Sequence, residues 1–146
     1  MNMTEREIAE CKRVEVKFPY SFILGGDAYF SILNSNSGTK FDYRVKKAEK
    51  GSNFFIYTPI DGVLSYVGYL VKYNGGLFYR RGDKGKLEEG SPQIRGLLYA
   101  LKFNNTLPMP MIMIHHGKCA KCGRKLKDAE SVARGFGPDC WKKVMG

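Results

Sequence analysis

Hydrophobic and polar positions alternate most clearly in Phe41-Asp42-Tyr43-Arg44-Val45-Lys46, where Phe41, Tyr43 and Val45 share one face and the charged residues take the other. A period of two is that of a half-buried antiparallel strand. Residues 14–16, 28–33, 54–58, 65–72 and 76–80 share the same β-branched and aromatic texture and are of strand length. The connectors Asn36-Ser37-Gly38, Lys50-Gly51-Ser52, Asp61-Gly62 and Asn74-Gly75-Gly76 are short and rich in residues that tolerate positive φ. They suit hairpins, not crossover helices.

Helical signals frame this β-rich stretch. Thr4 followed by Glu7 has the form of a capping box ahead of Ile8, Ala9 and Cys11, so a short N-terminal helix is expected. Ser91 stands where it can cap, Pro92 suits a first turn, and Ile94, Leu97, Leu98 and Leu101 recur at helical spacing, which predicts a helix over residues 92–103. The expected class is α+β: a curved, meander-like antiparallel sheet packed with one or two helices. Pro108 and Pro110 mark a division into a β-rich domain over residues 1–110 and a small C-terminal module over 111–146.

Composition adds exclusions. With 43% hydrophobic and 26% charged residues, the chain has the make-up of a folded domain and not of a disordered one. No stretch approaches the roughly 18 consecutive apolar residues of a membrane span, and residues 1–10 carry three Glu and no apolar segment, so a soluble, unsecreted, cytoplasmic protein with no membrane partner is expected. The net charge is +10, and residues 115–146 hold eight Lys and Arg against three Asp and Glu.

That basic tail also holds three of the four cysteines. Cys119 and Cys122 form Cys-x2-Cys followed by Gly123, the shape of a zinc knuckle, and Cys140 supplies a third thiolate. His116 is preferred as the fourth ligand, with His115 as the alternative, which makes a closed Cys3His zinc-knuckle or zinc-ribbon-like site. A closed site leaves no position for reactive water, so the expected zinc is structural. Cys11 stands alone and is expected to be a small buried hydrophobe. The chain lacks the His-x-Glu of zinc deaminases, His-Glu-x-x-His, a P-loop, a nucleophile elbow and a dinucleotide fingerprint. Asp27, Asp61 and Asp83 beside or near glycines have the character of turn residues. No catalytic residue is expected, and the protein is taken as a non-enzyme.

Lys118, Lys121, Arg124, Lys125, Arg134, Lys142 and Lys143 crowd the module together with Trp141 and Phe136, which either stack on a base or pack under the knuckle. In the body, Tyr66, Tyr69, Tyr73, Phe78 and Tyr79 interleave with Lys72, Arg80 and Arg81, a composition found on the sheet faces of single-strand binders.

The run Gly117-Lys118-Cys119-Ala120-Lys121-Cys122-Gly123-Arg124-Lys125-Leu126, with Asp128, Ser131 and Gly135-Phe136-Gly137-Pro138-Asp139-Cys140, resembles the zinc-binding tail of a family of small bacteriophage and mobile-element proteins of unassigned function. The resemblance covers about 30 residues. It implies zinc on Cys119, Cys122, Cys140 and one of the two histidines, and a host bacterial cytoplasm as the location. The gap between the His pair and the first Cys is one residue shorter than in that family. Two functions follow as expectations. The first is a nucleic-acid-binding protein that contacts the phosphate backbone through the basic module and stacks bases on the aromatic sheet face. The second is a phage-encoded inhibitor of a host defence nuclease, which would bind a nucleic-acid-processing host protein. Strand addition along residues 76–80 would give a homodimer.

Overall fold

The computed structural model describes residues 3–83 and 87–145. In chain order the elements are α1 (Glu5–Arg13), α2 (Pro19–Ile23), β1 (Asp27–Asn34), β2 (Lys40–Lys47), β3 (Phe54–Ile60), β4 (Val63–Tyr73), β5 (Gly76–Arg81), α3 (Pro92–Ala100), β6 (Met111–His115), α4 (Ala129–Arg134) and α5 (Pro138–Met145). The strands form one six-stranded antiparallel sheet in the order β5-β4-β3-β2-β1-β6. The first five strands are a meander, and β6 returns after α3 to pair with β1.

Local chemistry accounts for the punctuation. Thr4 accepts from the Glu7 amide while the Glu7 carboxylate accepts from the Thr4 amide, the reciprocal cap that opens α1. Asp61-Gly62 and Asn74-Gly75 each place two successive residues at positive φ. This is the turn geometry that matches strand twist in a two-residue hairpin. The helix expected over residues 92–103 ends at Ala100 and continues as a tight turn, with Lys102 bonding back to Tyr99 and Phe103 to Ala100. Ser91 precedes it, but its hydroxyl donates to the Glu88 carbonyl and caps no helical amide. Residues 14–16 do not form a strand; they bridge the free edge of β6 through Glu15 and Ile114. That segment is confined between the end of α1 and the proline that starts α2.

The sheet has one covered and one open face. Phe30, Ile32, Tyr43, Val45, Phe54, Ile56 and Leu70 point into the core, where Ile94, Leu97 and Ala100 of α3 and Phe22 of α2 cover them. Each such side chain, fully buried, contributes about 1.5–3 kcal/mol. The Tyr43 hydroxyl ties sheet to helix by donating to the Gln93 carbonyl, and burial pushes its pKa above the ordinary tyrosine range. In β4 the register shifts at the Ile56/Tyr57 step, since Tyr57 pairs with Tyr66 while Ile56 pairs with Gly68. Val67 is the extra residue of this bulge and is fully buried. The bulge turns Tyr66 and Tyr69, three apart in sequence, onto the same open face.

The C-terminal stretch is built into this body. Met111, taken from the sequence as the start of the module, begins a strand of the sheet. Cys119, Ala120, Leu126 and Phe136 belong to the same buried cluster as the sheet residues. Gly25 and Gly26 form the socket: a Cβ on Gly25 would lie 2.8 Å from the Ala120 carbonyl oxygen, and one on Gly26 would lie 2.7 Å from that of Lys121. The Asp27 amide donates to the Ala120 carbonyl at 2.8 Å across this seam.

Candidate metal centre

The knuckle is closed by short-range backbone bonds. The Gly123 amide donates to the Cys119 carbonyl, the Cys119 amide to the Arg124 carbonyl, and Gly123 takes φ of 75°, which a side chain would resist. After it the chain crosses α4, capped by the Asp128 carboxylate on the Ser131 amide and ended by left-handed Gly135. Gly137 then accepts the first bond of α5 from the Trp141 amide, so Cys140 stands in the first turn of that helix. The Sγ atoms of Cys119, Cys122 and Cys140 lie within 4.8 Å of one another. Cys119 is buried, Cys140 half-buried and Cys122 exposed.

The surroundings of the sulfurs favour negative charge at one of them. Burial disfavours the Cys119 thiolate, but hydrogen bonds from the backbone N–H groups of Gly137, Cys122 and Lys121 outweigh it and bring its pKa below the ordinary thiol value. Cys140 goes the other way, pushed up to about 11 by burial and by the two neighbouring cysteines. Three thiolates packed this closely repel one another unless a cation sits among them. The arrangement is one that could hold a metal ion through three cysteine sulfurs.

The structure brings together the three predicted cysteines and neither predicted histidine. His115 is fully inside the protein, stacked on Phe22 with ring centroids 6.0 Å apart. Its Nε2 donates to the Val132 carbonyl at 2.6 Å and its Nδ1 accepts the Gly117 amide at 2.9 Å. It is a neutral staple between β6 and α4, and burial lowers its pKa. His116 points to the open sheet face, with Nε2 2.7 Å from the Ser31 hydroxyl. The Ser31 hydroxyl donates its one proton to Asp42, so it accepts from His116. Such a Ser, His and Asp trio is not a nucleophilic triad, because the serine is fully buried and gives its proton to the carboxylate.

The basic and aromatic candidates divide among several places. Phe136 is fully buried between Phe22 and Trp141, so it packs and does not stack on a ligand. Trp141 is half-buried against Phe136 and Phe18, with the Arg134 guanidinium over its ring. Arg134 also pairs with Glu130, and it is a packing residue. Arg124, Lys125 and Lys142 are exposed. Lys121 and Lys143 meet Lys47 and Lys72 around a cleft of about 380 Å³ whose lining has no acidic residue. Lys47 drew no attention in the sequence because its partners are far along the chain.

Lys118 leaves the module altogether and sets its Nζ 4.1 Å from the centre of the Tyr29 ring on the open sheet face. Arg44, held by Asp27 through two hydrogen bonds, lies 4.9 Å from Tyr29 and 5.8 Å from Tyr57. Tyr57 and Phe55 both meet Tyr66 edge-on. Beyond them Tyr69, Val71, Tyr73, Phe78, Arg80 and Asn53 line a concavity of about 540 Å³. Two residues expected on this face are elsewhere. Tyr79 is buried, its single hydroxyl proton shared between the Val67 and Leu87 carbonyls, and Lys72 lies over Phe54. Sequence reading missed Tyr29, Arg44, Phe55 and Tyr57, although the alternation Asp27, Tyr29, Ser31 was the signal that marked the outward side of β1.

Among the described residues, no helix is long and apolar enough to cross a membrane. Residues 115–145 match a family of unknown function, DUF6011. No curated protein and no solved structure matches the chain. The family match coincides with the part of the chain that supplies the three clustered cysteines.

Proposed function

We propose that the protein binds single-stranded nucleic acid without catalysing a reaction, using the open sheet face as a stacking platform and the C-terminal module, stabilised by zinc, as its basic flank. The observation that carries this reading is the continuous row Lys118, Tyr29, Arg44 and Tyr57, which runs from the module onto the sheet and on to Tyr66, Tyr69 and Arg80. Stacked bases need flat aromatic faces, and a backbone needs cations beside them. An excess of positive charge, +10 in all, favours a polyanionic partner. Zinc suits the donor set: a tetrahedral ion with Zn–S bonds of about 2.3 Å holds its sulfurs about 3.8 Å apart, and soft thiolates select zinc over harder cations such as magnesium and calcium.

The test is fluorescence anisotropy of the zinc-loaded chain with labelled single-stranded DNA, single-stranded RNA and duplex, each at two salt concentrations. Binding to a single strand is expected, with log K falling by about 0.7 per phosphate neutralised for each tenfold rise in salt. Tyr57→Ala and Tyr69→Ala should each weaken it by about 5- to 160-fold, the equivalent of roughly 1–3 kcal/mol per stacked base. Equal affinity of both variants and the parent would refute the platform. A protein partner is the second reading, favoured by the hairpin tip, where Val63 and Leu64 are 65% and 47% exposed. Capture of a nucleic-acid-processing enzyme that is lost in Val63→Ser, combined with no strand binding, would select it.

A further inference from the structure

A tetrahedral ion takes four donors, and the three-cysteine cluster supplies three. No histidine nitrogen or carboxylate oxygen of the described residues joins the cluster, and residues 1, 2, 84–86 and 146 include no Cys, His, Asp or Glu. For His115 to turn toward the sulfurs it would have to abandon both its bonds, leaving the Gly117 amide and the Val132 carbonyl without their partner. Unmaking a buried bond of this kind costs about 1–3 kcal/mol for each group left unpaired. His116 is fixed on the opposite side of its strand by Ser31, a fully buried hydroxyl that would lose its donor. The two adjacent histidines therefore serve the two faces of the sheet, and neither serves the metal.

The cluster is also open on one side. Cys122 is exposed, while Cys119 faces the core and Cys140 lies between them. Three thiolates and a divalent ion carry a net charge of −1; along the chain Lys121 precedes Cys122, Asp139 precedes Cys140, and Lys142 and Lys143 follow it, all four charged residues exposed. An incoming thiolate is a soft donor of the same kind as the three that would already hold the ion.

We infer that the fourth coordination position belongs to a monodentate donor from outside the chain, water in the free protein and exchangeable for a thiolate. The class of ligand is a thiol, supplied by a small molecule or by a cysteine of a partner. This inference rests on the metal-centre reading and is independent of nucleic-acid binding.

X-ray absorption at the zinc edge of the full-length, zinc-loaded protein, prepared with a phosphine reductant and no thiol, tests it. Metal content measured first separates the two levels: a chain that retains no zinc under these conditions overturns both the metal centre and the inference. In the loaded protein three sulfur neighbours and one lighter neighbour without the imidazole scattering pattern are expected. Excess 2-mercaptoethanol should convert this to four sulfurs; conversion by a cysteine-containing peptide as well assigns the donor to a partner's side chain, and conversion by the small thiol alone assigns it to a small molecule. His116→Gln, on the half-exposed side of the sheet, should leave both spectra unchanged. An imidazole pattern that disappears in His116→Gln or His115→Gln overturns the inference while leaving the metal centre standing. A spectrum unaltered by the thiol overturns it as well.

Discussion

Replacing Phe136 with alanine asks whether the C-terminal module and the sheet are one cooperative unit. Phe136 has no exposed surface, meets Phe22 edge-on at 5.9 Å and Trp141 at 5.6 Å, and so bridges α2 in the body to α5 in the module. A buried Phe→Ala change costs about 3–5 kcal/mol, the lost transfer energy together with the cavity left behind. Two aromatic partners put it near the middle of that range, about 4 kcal/mol, since each such pair adds roughly 0.5–1.5 kcal/mol beyond burial. With a urea m-value of about 2 kcal/mol/M, the midpoint should fall by about 2 M. Trp141 is the one tryptophan of the chain and lies in the module, while far-UV circular dichroism reports mostly on the sheet and other helices. Urea unfolding of the zinc-loaded protein followed by both probes should give coincident curves, displaced equally in the variant. A tryptophan transition that moves to low urea while the circular dichroism transition stays in place would refute the argument, and would mean that the socket at Gly25 and Gly26 does not couple the two parts.

The socket gives its own prediction. Gly25→Ala sets a methyl group 2.8 Å from a backbone oxygen, which no rotamer relieves; the zinc-loaded variant should unfold at lower urea by both probes, and an unchanged midpoint would count against close docking of the knuckle. Cys122→Ser alters an exposed side chain and leaves the core intact, so the variant should keep its circular dichroism at low temperature but retain far less zinc after dialysis against a chelator, as read by metal analysis. For His115, burial lowers the folded pKa below its ordinary 6.5, so the unfolded chain takes up a proton first as the pH falls. Stability should therefore be present in full above about pH 6.5 and decline below it, by at most about 1.4 kcal/mol per pH unit, until the folded pKa is passed. His115→Gln should be less stable at neutral pH yet show a shallower decline in urea midpoint between neutral and mildly acidic pH; parallel pH profiles would refute the assignment.

The cysteine cluster was legible because its signal is local. Cys119 and Cys122 are brought together by a turn four residues long, and Gly135 to Pro138 stop one helix and start the next so that Cys140 follows in its first turn. The hairpins were legible for the same reason, since Asp61-Gly62 and Asn74-Gly75 carry their turn geometry in their own backbone preferences. The short helices α2, α4 and α5 were not, because five to eight residues hold too little of a 3.6-residue period to stand out.

What the histidines do was decided by tertiary structure. Two adjacent residues on a strand point to opposite faces, so pairing of β6 with β1 sends His115 into the core and His116 out to a serine 85 residues earlier. Spacing to Cys119 contains neither fact. The open face is a second instance. Strict alternation puts Tyr66 and Tyr69 on opposite sides of β4, and the bulge at Val67, set by packing against β3, puts them on one. Gly25-Gly26 has the appearance of an ordinary turn until a knuckle nearly a hundred residues later closes against it. Backbone preference and side-chain period are properties of a few neighbouring residues, which the amino-acid sequence states directly. Register, bulges and close approach are settled by which distant segments bury each other best, and only the folded chain makes that comparison.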